Sequence, residues 1–452
     1  MKQLFFLSIL FLYYLYIPAQ TVEGLKRRAL LNASLRPPSL GGKSGAVIAN
    51  IHPNSCLEKA GLKKDDVILS INGILLADEI IYGNMIRSLR AGVLARLVVA
   101  RGNINFDAEL IPDFYPMEKV EGLTISYETL TTSKGYRLRT IITKPDGKTG
   151  KLPAILLVQW LSCSSVEQPP YNRVDGFVKA IHGLSQNGFV VMRVDKPGVG
   201  DSEGPPCSDY GYNEELDIHF EALKKLKTLS FVDTNNIILF GASMGGAMAP
   251  QVAAANPGIK AIMIYGGYVK TWYEHMLEIE RRIAQLSVKS PSEVNELMKG
   301  WSEFYSLYLN EKVTPEQIIA KRPHLASLWA GQTPRHQYGR PVQFYIEANE
   351  KNLPKAWENI NMKVLVMYGE YDWIMSKEDH EMIAEIVNRK QPGAATFIVC
   401  PKLNHDLTVS QGVQDAFNTG NTSSLFDESI VTRMVEWLQK EVMVFMQTQT
   451  KE

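Results

Sequence analysis

The sequence predicts an α/β protein: a mostly parallel sheet flanked by helices and interrupted by a helical cap, preceded by a small α+β domain. Three observations predict it. From Gly122 onward short apolar runs alternate with helical patterns, the signature of a parallel sheet covered on both faces. Between Gly45 and Gly102 a denser pattern of strand, turn and short helix is complete in itself. The length, 452 residues with 45% hydrophobic and 21% charged, exceeds what one core usually supports and excludes disordered and fibrous classes. Lysine plus arginine balances aspartate plus glutamate at 48 each. No net field therefore draws the chain to nucleic acid or an anionic membrane, and a small, roughly neutral substrate is allowed.

The chain opens with Met1, Lys2 and Gln3, an apolar run from Leu4 to Ile17, then Pro18, Ala19 and Gln20. The run is shorter than the roughly 20 residues a membrane span needs, and Ala19 offers a small residue for cleavage, so residues 1–19 read as a signal peptide. Ile17 and Pro18 make an imperfect cleavage site; an uncleaved anchor, and with it membrane association, is the alternative. In both cases the folded part is expected to be exported, periplasmic or secreted.

The first domain, 25–113, starts with a β-branched strand at Ala46–Ile51. Pro53-Asn54-Ser55 and a short helix follow, then a turn at Gly61 to Asp66 and a strand at Val67–Ile71 closed by Asn72-Gly73. Gly61 suits a helix end, and Asn-Gly suits a tight turn between strands. A second helix is expected at 78–91 and a last strand at 94–101. The stretch "NSCLEKAGLKKDDVILSINGILL" resembles PDZ domains of the bacterial protease-associated type. That resemblance implies an extended peptide or protein as a ligand, added to the sheet as a strand. The segment Ser39-Leu40-Gly41-Gly42 only loosely resembles the usual carboxylate-binding turn, so a docking role stands beside peptide capture and no binding residue is assigned.

After Pro112–Pro116 the second domain, 120–447, begins. Ala154–Val158, Phe189–Val194, Ile237–Phe240, Ala261–Ile264, Val364–Met367 and Ala395–Val399 read as buried central strands. Helical patterns occupy 172–186, 214–228, 244–255, 377–387 and 429–445. The interval 268–354 holds no such strand but is rich in aromatic and helical-pattern residues, which fits a cap insertion.

The chemistry is carried by Gly241-Ala242-Ser243-Met244-Gly245-Gly246, between a strand and a helix. This is the G-x-S-x-G elbow in its required context: the strained turn projects the serine hydroxyl, and the glycines let strand and helix approach. A hydroxyl needs a base and the base an orienting acid. With this motif the chain resembles the α/β-hydrolase superfamily, and more narrowly the exported bacterial esterases of the EstD type. The resemblance implies an α/β-hydrolase fold and a serine, acid, histidine order. His405, just beyond the last strand, is the candidate base. Asp372, in Gly369-Glu370-Tyr371-Asp372, is the candidate acid, with Glu370 and Asp406 as alternatives. The oxyanion would rest on two backbone N–H groups, those of Met244 and Leu161. Related enzymes carry His-Gly or Gln-Gly after the latter strand, where this chain has Gln159-Trp160. The turn Asp195 to Gly204 is similar to a "D-x-x-G-x-G-x-S-x-G" element and reads as scaffold.

Cys163 and Cys207 fall after strands that neighbour each other in this fold, so a disulfide between them is reasonable. Cys56 and Cys400 read as buried thiols, and four cysteines permit three full pairings. No C-x-x-C or H-E-x-x-H occurs, and the eight histidines are scattered, so neither a metal nor a cofactor is expected. The expected activity is hydrolysis of a small carboxylic ester through Ser243, His405 and Asp372. The rivals are a peptidase, thioesterase or acyltransferase with the same groups, or a PDZ-guided scaffold whose hydrolase domain is inert.

Overall fold

The computed structural model describes residues 24–38, 42, 44–170 and 174–443. The expected signal peptide, and all of the Ser39–Gly42 segment except Gly42, lie outside them. In the N-terminal domain, alternate apolar side chains of Ala46–Ile51, Val67–Ile71 and Ala95–Arg101 face one small core with Leu57, Leu62 and Leu76. Strand order from the edge is Ala33–Arg36, Ala46–Ile51, Val67–Ile71, Ala95–Arg101, Ile104–Leu110. Asn72 and Gly73 take φ of 51° and 80°, turning Val67–Ile71 back into Ile74–Leu75; two positive φ values are what a type I′ turn requires. Asp78 caps the helix Glu79–Ser88 by accepting from the Ile81 amide. The expected last strand is corrected: Ile104–Leu110 follows it and pairs along its full length. Its Asn105, Asp107 and Glu109 face outward at the sheet edge, so its apolar content is too low to read as a core strand.

The second domain holds an eight-stranded sheet. We label its strands β1 (Leu123–Thr131), β2 (Arg137–Pro145), β3 (Leu152–Val158), β4 (Val190–Val194), β5 (Val232–Ala242), β6 (Ile259–Tyr265), β7 (Lys363–Gly369) and β8 (Ala395–Cys400). They lie in the order β1-β2-β4-β3-β5-β6-β7-β8. All neighbours from β4 to β8 run parallel, while β2 is antiparallel to both β1 and β4. The antiparallel β1–β2 hairpin is an addition to the expected alternation. Arg139, Thr140 and Thr143 are buried within β2, and these polar residues mask its apolar run.

Because successive strand residues point to opposite faces, Ala154, Leu156 and Val158 of β3 enter one core and Ile155 and Leu157 the other. Helices Tyr212–Thr228, Met244–Ala254 and Lys377–Lys390 cover the first face, and Gly176–Gln186 and Ser429–Glu441 the second. The interval after β6 is helical as expected, with Trp272–Leu286, Pro291–Tyr305, Pro315–Lys321, Val342–Asn349 and Leu353–Glu358. A two-stranded ladder, His336–Gln337 against Arg340–Pro341, is an unexpected addition to it. Its rings pack on one another, Phe304 on Trp329 and Trp272 on Tyr345, so aromatic content there builds the cap's own core. No described helix is long and apolar enough to cross a membrane.

Candidate active site

Ser243 is the single residue between β5 and the helix that starts at Met244, and it holds φ 54°, ψ −119°. A non-glycine residue there is strained and must be held by its surroundings. The surroundings are backbone. A Cβ on Gly245 would lie 1.9 Å from the Val158 carbonyl oxygen, and one on Gly241 would lie 2.6 Å from the Gly245 carbonyl oxygen. Only hydrogen fits, so strand and helix close to contact and the Ser243 amide donates to the Tyr265 carbonyl at 2.9 Å.

His405 leaves β8 on a loop organised by Asn404, a residue the sequence reading passed over. The buried Asn404 side chain accepts from the amides of Asp406 and Thr408 and donates to Ser410 Oγ and the Asn421 carbonyl. With a further bond from the Thr408 hydroxyl to its Oδ1, this one amide side chain has all its donors and acceptors engaged and fixes the loop. Asp372 follows β7. Its Oδ1 accepts from the Ile374 and Met375 amides, both at 2.9 Å. Its Oδ2 meets His405 Nδ1 at 2.8 Å, and His405 Nε2 meets Ser243 Oγ at 2.9 Å. Three side chains from separate loops are thus brought into one hydrogen-bonded chain, all of them buried. Glu370 is turned away and accepts from the Lys402 amide. Asp406 borders the cavity but is not the partner of His405 Nδ1.

Electrostatics follow from burial and pairing. Burial alone would raise the Asp372 carboxyl, but His405 and the Met375 amide outweigh it and hold Asp372 below its usual range. Burial would lower His405, and the Asp372 carboxylate reverses that, holding the imidazole above its usual value. His275, from the first cap helix, also borders the site; burial pushes it down to about 4.

Ser243 and His405 open into a cavity of about 600 Å³. Leu161 and Met244 both line it, together with Trp160, Phe177, Met276 and Trp373. The N-terminal domain reaches it as well, since Arg28 and Tyr115 stand on its wall. Arg27 pairs with Glu167 and Asp201, and Arg28 with Glu167 at 2.8 Å, while the Arg28 amide donates to Asp201 at 2.8 Å. Asp201 also pairs with the buried Arg139 of β2 at 3.0 Å. The turn read as scaffold therefore docks the first domain onto the second, a role no local pattern announces. Cys163 and Cys207 are joined, with Cα atoms 5.8 Å apart, and Cys56 and Cys400 are buried free thiols.

A serine on a strained turn at the carboxyl end of β5, in this strand order, defines a hydrolase of the α/β-hydrolase class, here carrying an N-terminal PDZ domain. Within that class the chain belongs to the serine aminopeptidase S33 family, whose model matches residues 172–411, just over half of its length. The PDZ domain model matches residues 21–79. Polyketide transferase claH of Penicillium crustosum is 24% identical over 190 residues, 42% of this chain and 56% of that protein; the chain spans little more than half the length of this relative. Two solved structures are similar. Est1E of Butyrivibrio proteoclasticus with bound ferulic acid is 16% identical, with 70% of this chain and 99% of that one covered, at a TM-score of 0.46. The Pyrococcus furiosus esterase Pf2001 is 13% identical, with 72% and 97% covered, at 0.43.

Proposed function

We propose that the chain hydrolyses carboxylic esters through a Ser243 acyl-enzyme. His405 takes the Ser243 proton as the alkoxide forms, and Asp372 orients the imidazole and balances its charge. The oxyanion rests on the amides of Met244 and Leu161, and His405 then activates the water that releases the acid. The observation that carries this reading is the hydrogen-bond relay from Asp372 through His405 to Ser243, ending at the floor of a largely apolar cavity. Such a lining suits an acyl or alcohol portion without charge. Ser243→Ala should lower turnover of p-nitrophenyl butyrate by a factor of about 10⁴ or more, and wild-type protein should react with a fluorophosphonate probe while the variant does not. Wild-type rates in the variant would overturn the assignment, and wild-type protein that resists the probe would support an inert scaffold.

The same groups serve peptide, thioester and acyl-transfer chemistry, and the S33 family name and the polyketide transferase similarity make those the rivals. A panel of esters, thioesters and aminoacyl amides ranks them by kcat/KM. The PDZ domain is proposed to hold an extended peptide or protein segment. Export is proposed from the N-terminal run, and the Cys163–Cys207 disulfide supports an oxidising compartment.

A further inference from the structure

Lys196, in the turn after β4, is wholly buried and makes an unusual set of contacts. Its ammonium donates to three successive carbonyls of the loop after β3, those of Trp160 at 2.5 Å, Leu161 at 3.1 Å and Ser162 at 3.0 Å. Glu215, on the helix Tyr212–Thr228, meets it at 3.1 Å. Glu215 in turn pairs with the buried Arg340 of the cap, which donates to the Cys207 carbonyl at 2.8 Å. The disulfide to Cys163 brings this chain of contacts back to the same loop.

A trans peptide is planar, with its C=O and N–H pointing in opposite directions. Drawing the Trp160 carbonyl onto Lys196 therefore aims the Leu161 N–H away from Lys196. Drawing in the Leu161 carbonyl does the same for the Ser162 N–H. Trp160, Leu161 and Ser162 border the cavity that holds Ser243 and Met244, whereas Lys196 is shut behind them.

We propose that Lys196 is the positioning residue of the oxyanion hole: by gathering the three carbonyls it turns the Leu161 amide toward the oxygen that develops negative charge on attack by Ser243. Trp160 stands where a glycine would give the loop its freedom to turn, and the buried lysine imposes the orientation instead. The three hydrogen bonds from Lys196 also polarise the peptides they engage, which strengthens their N–H groups as donors. The inference rests on the ester-hydrolysis reading through Ser243. It predicts an effect confined to the transition state, because the donor is wanted only when the oxyanion forms.

The test uses the full chain with Lys196→Met and Lys196→Gln. Kinetics on p-nitrophenyl butyrate are paired with inhibition by an alkyl trifluoromethyl ketone, which adds the serine oxygen and forms an oxyanion, and by the matching methyl ketone, which serves as the ground-state control. In Lys196→Met, kcat should fall about 10²- to 10³-fold with KM within about twofold. Trifluoromethyl ketone affinity should fall by a similar factor, and methyl ketone affinity should hold. Lys196→Gln, which keeps a donor, should recover part of both losses and carries the same readouts if the methionine variant does not fold. A variant that is less heat-stable yet keeps the wild-type ratio between the two ketones would overturn the inference and leave Lys196 as a structural residue. Failure of the underlying reading is separately visible, as activity that survives Ser243→Ala.

Discussion

The two sides of the site are held in different ways. The elbow around Ser243 is held by backbone: Gly241 and Gly245 let strand and helix close on each other and on Val158 of the neighbouring strand, and the residues that permit this lie within six positions. The facing loop, Gln159 to Cys163, is held from a distance, by Lys196 of the turn after β4, by Glu215 and Arg340 beyond it, and by the disulfide to Cys207. Local restraint leaves a motif, whereas remote restraint leaves single residues scattered over 180 positions with nothing to mark them as a set.

The comparison breaks most severely on the local side. Gly245→Ala places a methyl group 1.9 Å from the Val158 carbonyl oxygen, and backbone on both sides leaves nothing flexible to yield. We expect a loss of about 3 kcal/mol in stability or more and a drop in kcat of at least about 100-fold, read by denaturant unfolding and steady-state kinetics. A near-normal variant would mean that the elbow is looser than its geometry states.

On the remote side the disulfide braces the loop without aiming its amides, so removing it should cost less in rate than in stability. Replacing Cys163 and Cys207 together by serine opens a cross-link spanning 44 positions and should lower stability by about 2–4 kcal/mol. Turnover should fall less than about tenfold, because Lys196 still gathers the loop carbonyls. A larger loss of kcat at full folding would shift the aiming role from Lys196 to the disulfide.

The smallest effect is a displacement of pH dependence. His405 acts as a base only when neutral, and Asp372 holds it above its ordinary 6.5, so kcat/KM should decline on the acid side with a midpoint above that value. Stability runs the other way: a raised imidazole contributes fully below 6.5, and its contribution fades as pH rises through the folded value. Asp372→Asn leaves burial without its counter-charge, so the midpoint should move down while the rate falls, as a pH–rate profile would record.

The same division explains what could be read in the sequence. Ser243, His405 and Asp372 were legible because each sits at the end of an apolar strand run, and the fold places those ends on one rim. The six central strands were legible for the same reason. The β1–β2 hairpin and the edge strand Ile104–Leu110 were not, because buried polar groups in one and outward polar groups in the other disguise the two-residue period. Asn404 hides beside the histidine it supports, its role lying in five side-chain bonds rather than in any pattern. Lys196 reads as turn scaffold in the sequence, since nothing local distinguishes a lysine facing water from one facing three carbonyls.

The arginine pair at positions 27 and 28 has a practical bearing on how the two domains can be separated. Glu167 and Asp201 are almost wholly sequestered, and Arg27 and Arg28 supply part of their neutralising charge. A protein shortened to begin after residue 113 would leave Glu167 on the cavity wall without its arginine partners and Asp201 with Arg139 alone, and would remove Arg28 from that wall. The trimmed protein would be a chemically altered hydrolase, so a change in its substrate profile would report on the missing wall as much as on the missing PDZ domain.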